Sequence, residues 1–239
     1  MSTLVKSSSR LKAVTGLSVR ARRTLETRRR MVHAAYQQFC REGYAGTTMN
    51  AIAEEADVAV QTLYYTFHNK AALLGDALGG AIIGFDQWRE PPPDPDITEL
   101  LPWHGWWSEF QAAGTSGEAL DVFVANGVDI LERVGPLVAA LHGAAGDPEA
   151  AEVVRLSEER RVAAYGEAVR AVARKPPGLR RGLGQKAATD IVVAVFSAEM
   201  YEALSTGRGW PRSRCTRFFS ELLAFELLGV HATAAPTLR

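Results

Sequence analysis

The chain of 239 residues is 47% apolar and 23% charged, values that exclude a disordered polymer, a collagen-like repeat and a disulfide-stapled miniprotein. Lys+Arg and Asp+Glu both number 27, and a net charge of zero argues at face value against a nucleic-acid binder. The balance is uneven along the chain, however: residues 1–70 hold eleven Lys/Arg against five Asp/Glu, a net of +6, and residues 71–239 carry the compensating −6.

Residues 1–23 mix Ser, Lys and Arg without a sustained apolar period and predict a flexible basic arm. A helix-turn-helix domain is expected over 24–70. Met31, Ala34, Ala35, Gln38 and Phe39 recur at helical spacing, and Gly43 stands where a left-handed cap would end the helix. Thr47 or Thr48 can cap a second short helix that buries Ile52, Ala53 and Ala56. A third turns Leu63 and Phe67 inward, joined to the second by the tight segment Ala56-Asp57-Val58-Ala59. Val60, Gln61, Thr62, Tyr64 and Tyr65 then face variously outward. Such a surface, made of amides, hydroxyls and methyls without charge, suits a DNA major groove: Gln pairs bidentately with adenine, and apolar groups meet thymine methyls. Val60, Gln61, Thr62 and Tyr65 are accordingly the candidate base readers. Cations flank this helix, with Arg28, Arg29 and Arg30 expected in the first turn of helix one and Lys70 in the first turn of helix four. There they oppose the helix macrodipole, which fits helix starts that bind phosphate. His68 can touch a phosphate or simply be solvated.

Asn69 can cap the fourth helix, which carries Leu73, Leu74, Ala77, Leu78, Ile82 and Phe85 before Glu90-Pro91-Pro92-Pro93 stops it. The remainder, residues 71–239, predicts further helices at Trp103–Ala113, Gly117–Val134, Pro136–His142, Asp147 to about Lys175, Gly184–Thr206 and Pro211–Gly229. The expected fold class is all-α, with about nine helices. Four of the five tryptophans fall in 88–107, and Trp103, Trp106, Trp107 and Phe110 share a face of one expected helix. Trp88, Trp103, Trp106, Trp107 and Phe110, with Phe123, Tyr165 and Phe196 behind them, are candidates to line a pocket for an apolar or aromatic effector; ordinary core packing is the alternative. The last two helices are apolar on wide faces, one for the core and one for a second copy of the chain.

Cys40 and Cys215 lie far apart and outside any metal-ligand spacing, and the five histidines form no HxH or HExxH pattern. No metal and no cofactor is expected. The basic N-terminus lacks an apolar run behind it, and the most apolar segments are interrupted by Glu199 and Glu226, so the expectation is a cytoplasmic protein without a membrane span. GxSxG, P-loop and dinucleotide-binding motifs are missing from the sequence, so no enzyme is expected; an enzyme or an all-α structural adaptor is the other-class alternative.

The set Thr27-Arg28, Ala34-Ala35, Phe39, Gly43-Tyr44, Thr47-Thr48, Ile52-Ala53, Ala56, Val58, Thr62-Leu63-Tyr64, Phe67, Lys70 and Leu73-Leu74 resembles the tetracycline-repressor (TetR) family of transcriptional regulators. The resemblance implies a dimeric repressor with Val60–Thr66 as recognition helix. Tyr64 and Lys70 would lie on DNA phosphates, beside Arg28, and Thr48 would cap helix two next to the backbone. Two residues depart from the family pattern: Asp57 stands where Gly is usual, and Ala59 where a capping Ser is usual. The recognition helix could then fray at its start or begin earlier, capped by Asp57. The implied function is a ligand-responsive repressor released from a near-palindromic operator, with an activator or a ligand-independent regulator of the same fold as the alternative.

Overall fold

The computed structural model describes residues 18–92 and 95–230. Most of the stretch expected as a basic arm, residues 1–17, lies outside the described residues. Among them the chain is all-α without a strand, as expected, but its helices are shorter and more numerous than the nine anticipated. Helix α1 (Val19–Gly46) begins well before Thr27, because the Ser18 hydroxyl accepts the Ala21 N–H at 3.2 Å and caps it. Residues 19–23 therefore belong to a helix rather than to an arm. At Gly43 the backbone takes φ +68°, which only glycine adopts cheaply, and the helix kinks. Helices α2 (Met49–Glu55), α3 (Val60–Phe67) and α4 (Lys70–Ile83) follow.

The rest of the chain holds α5 (Ile97–Leu100), α6 (Trp107–Ala112), α7 (Ser116–Val134), α8 (Val138–Gly143), α9 (Pro148–Ala173), α10 (Gln185–Val195), α11 (Ala198–Arg208) and α12 (Arg212–Leu223). Two expected helices prove to be broken. The single helix anticipated at Trp103–Ala113 is a 3-10 turn, Leu101–Trp103, followed by α6, with His104 extended between them. That anticipated at Gly184–Thr206 stops at Phe196 (φ −102°, ψ 71°) and restarts as α11 with Ser197 as N-cap. The carbonyls freed at this break are taken by α9: the Tyr165 hydroxyl donates to Phe196 O at 2.8 Å and Arg161 donates to Val193 O at 3.2 Å. After α12 the chain continues through one wide π turn, Ala224–Leu228.

Two hydrophobic cores result. The first joins α1–α4 to Trp88 and also takes in Leu137, Ala140, Ala144 and Ala150 from α8, the turns beside it and the start of α9. The second holds Phe110, the buried face of α7, Ala168, Val169 and Val172 of α9, and α10–α12. Helix α9, about 39 Å long at 1.5 Å per residue, therefore touches the first core at one end and the second at the other. A polar joint closes beside it. Arg133, at the end of α7, donates to Ala81 O at 2.6 Å and Ile82 O at 3.2 Å, capping α4, while the Tyr36 hydroxyl of α1 donates to Arg133 O at 2.9 Å.

Candidate nucleic-acid interface

Helix α3 is held from beneath by Leu63 and Phe67, both fully buried, with Val60 partly buried beside them. Its neighbour α2 is capped by Thr48, whose hydroxyl accepts the Ala51 N–H at 3.1 Å, and is fastened to α1 by Glu55. That carboxylate takes Arg41 at 2.5 Å and Gln38 at 2.6 Å, and the Arg41 hydrogen bond holds it below the usual carboxylate range. The turn between α2 and α3 closes through Val58 N–H to Ala53 O at 3.0 Å. It needs a left-handed residue, and Asp57 supplies it at φ +51°. The expectation that Asp57 might cap an earlier start of α3 is not met. Ala59 occupies the N-cap position with extended geometry (φ −66°, ψ 141°) and offers no side-chain hydrogen bond.

On this support Gln61, Thr62, Tyr64 and Tyr65 all point to solvent, and Tyr65 is 86% exposed. Tyr64, 50% exposed, stands beside it in sequence, so two neighbouring rings offer apolar surface to a partner. Thr48 and His68 are exposed at the margins of the same unit, and His68 ends α3 in a positive-φ conformation. The interface the structure offers is therefore an uncharged reading surface with polar edges.

Two of the expected phosphate contacts are engaged inside the protein instead. Arg28 lies mid-helix, because α1 starts at Val19, so the argument from a helix start does not apply to it. Its guanidinium pairs with Glu90 at 2.5 Å and Asp76 at 3.5 Å, and stacks 5.0 Å from the Phe67 ring. Lys70 turns its ammonium inward, donating to Tyr44 O at 2.7 Å and Thr47 O at 3.0 Å while sitting 4.2 Å from the Tyr44 ring centre. Arg29 likewise donates to Trp88 O at 2.7 Å. Arg30, expected beside Arg28 and Arg29, is exposed on the same helix, and so are Arg20 and Arg23, which the sequence places in the arm. Ser18, a capping residue ahead of them, was the available signal that the helix extends that far.

The aromatic residues proposed for an effector fall into three settings. Trp88 belongs to the first core, 2% exposed, with its indole against Gly79. Trp103 is stacked under the Arg89 guanidinium at 4.0 Å and joins neither core. The remaining six come together: Trp106 and Trp107 pack on Phe110, Trp106 on Phe123, and Phe123 on both Tyr165 (5.6 Å) and Phe196 (5.3 Å). His104 lies 5.5 Å from Trp106, and burial, reinforced by the charge of Arg133, pushes its imidazole down to about 4. These rings fill one another's space, which is core packing in the state described. No group of metal-ligating side chains occurs among the described residues, and no helix among them is long and apolar enough to cross a membrane.

Residues 31–77, spanning the end of α1 through most of α4, match the family described as bacterial regulatory proteins, tetR family. Over 76 residues the chain is 37% identical to the HTH-type transcriptional repressor KstR of Rhodococcus jostii, which covers 32% of this chain and 36% of that protein. Against KstR of Mycolicibacterium smegmatis it is 46% identical over 54 residues, covering 23% and 26% of the two chains. The match thus spans about a third or less of these relatives' length. The fold likeness reaches much further: the fatty acid degradation regulator FadR from Bacillus halodurans superposes with a TM-score of 0.58 at 15% identity, over 81% of this chain and 92% of that one. The family match lies in the helix-turn-helix, while the likeness in fold extends over most of the chain. Residues 31–77 thus carry the region that matches the tetR family of bacterial regulatory proteins, and outside it the likeness is one of fold.

Proposed function

We propose that this protein is a DNA-binding transcriptional regulator, acting as a repressor on a near-palindromic operator and released by a small apolar or aromatic effector. The observation that carries the reading is the face of α3: four exposed side chains without charge, Gln61, Thr62, Tyr64 and Tyr65, on a helix fixed by fully buried Leu63 and Phe67. Gln61, Thr62 and Tyr65, with the partly buried Val60 at the helix start, are assigned to bases. Thr48, Tyr64 and His68 are assigned to phosphates, with Arg23 and Arg30 in place of the engaged Arg28 and Lys70.

Two copies joined through α11 and α12 would present paired heads to half-sites roughly 34–36 Å apart or a multiple of it. The half-buried Met200, Leu204, Phe218 and Leu222 of these helices, with Phe225, 45% exposed in the π turn that follows, support a partner here. An effector entering among Trp106, Trp107, Phe123 and Tyr165 would have to part rings that now touch, and so would move α7 and α9, which carry two of them. Release of DNA is then linkage between two states of the dimer, with a coupling of about 1–3 kcal/mol. Selection of binding sites from a randomised duplex library tests the reading. Enrichment of a two-armed motif supports it, and recovery of unenriched DNA refutes it.

A further inference from the structure

The helix-turn-helix is fastened to the body at both of its ends by one turn of one helix. Asp147 is the N-cap of α9: its Oδ1 accepts the N–H groups of Glu149 and Ala150 at 3.0 and 3.2 Å. Its other oxygen, Oδ2, accepts the hydroxyl of Tyr44 at 2.6 Å. Tyr44 is 4% exposed and lies four residues before Thr48, the N-cap of α2. At the far end, Asn69 caps α4 through Oδ1 to Ala72 N–H at 2.7 Å and donates its amide to Glu149 Oε2 at 2.7 Å. It stands two residues after the end of α3. Residues Asp147 and Glu149 thus hold the unit Thr47–His68 before its first helix and after its second. The apolar contacts nearby, such as Val153 against Gly75, attract without direction, whereas these hydrogen bonds fix an orientation.

We propose that Tyr44 and Asn69 are specificity-determining residues for operator spacing: by bonding Asp147 and Glu149 they set the angle of each reading head on the body, and so the separation of half-sites that the dimer accepts. The inference rests on the paired-operator reading above. Inserting one base pair between half-sites displaces the second by roughly 3.4 Å and turns it by roughly 35°. A head held at both ends cannot follow that turn, and a head released from Asp147 and Glu149, with only the Arg133 joint to α1 and α4 left as a polar tie, has more freedom to do so.

The test uses the full-length protein and duplexes that the unaltered protein selects from a randomised library, with the spacer changed by one or two base pairs. The double variant Tyr44→Phe/Asn69→Ser removes both contacts and leaves Ser as a competent N-cap for α4. The unaltered protein should lose about tenfold or more in affinity per inserted base pair and the variant less than about threefold, where tenfold corresponds to about 1.4 kcal/mol. The order of base preference within each half-site should be the same for both. Equal spacing discrimination in the two proteins would overturn the proposal. Tyr44→Phe alone removes a single oxygen, should show the same trend at smaller amplitude, and decides the question if the double variant melts below the assay temperature. Selection of single, unpaired half-sites would overturn the spacing proposal while leaving DNA binding intact, and selection of no sequence would overturn the functional reading itself.

Discussion

Single side chains do different work from what their positions in the sequence suggest. Lys70 carries a positive charge beside the reading helix, yet its ammonium closes the end of α1 by bonding two carbonyls and covering the Tyr44 ring. Lys70→Met should therefore cost about 1.5–3 kcal/mol of folding stability, the worth of hydrogen bonds from a charged donor. The slope of DNA affinity against salt should stay as it was. Urea unfolding and a salt titration of binding separate the two effects. Ala59 offers the opposite case. Its backbone already has N-cap geometry but its side chain has no oxygen, so Ala59→Ser should stabilise α3 by about 1 kcal/mol, read as a raised denaturation midpoint. Asp76 carries a pH dependence. Burial pushes its carboxyl up to about 6, with the Arg28 charge acting against that shift. A carboxyl whose pKa is higher folded than unfolded contributes stability below its unfolded pKa, and that contribution is lost as the pH rises through about 6. Asp76→Asn should flatten the decline between pH 4 and 7, and thermal melts across that range show whether it does.

At the scale of elements, the helix-turn-helix was legible because its signals are local: caps at Thr48 and Asn69, inward Leu63 and Phe67, and a turn residue at Asp57 that tolerates positive φ. The breaks were not legible, because their causes lie elsewhere in the chain. The run 184–206 keeps its helical period through Phe196 and Ser197. It divides because Tyr165 and Arg161, more than thirty residues upstream, take up the carbonyls that a break exposes. Tyr165→Phe should then cost about 1–2 kcal/mol by orphaning the Phe196 carbonyl, with hydrogen exchange quickening at the start of α11. Gly127 is tied to the same break: a Cβ there would lie 2.5 Å from the Phe196 ring. The aromatic set expected as one group is divided in the structure. Trp88 and Trp103 go to other partners, since a helix face assumed to be continuous from Trp103 to Phe110 is interrupted at His104.

For the whole molecule, zero net charge is the sum of a basic first seventy residues and an acidic remainder. Within the basic part, the structure turns Arg28, Arg29 and Lys70 inward and leaves Arg20, Arg23 and Arg30 at the surface. The field that would attract DNA therefore comes from the outer side of α1, and the face that would read it is uncharged. Long-range placement of this kind depends on which helices share a core. The joining of residues 137–150 to the first core had no local signature in the sequence. Sequence discrimination by α3 is the central claim, and the affinity of the full-length protein for its selected duplex and for a scrambled duplex, measured across a range of salt, tests it most directly. The protein should prefer the selected site by about 10³-fold or more, and Gln61→Ala should erode that preference by about 1–3 kcal/mol without changing the salt slope. Equal affinity for both duplexes, or an unaltered preference after Gln61→Ala and Tyr65→Ala together, would contradict it.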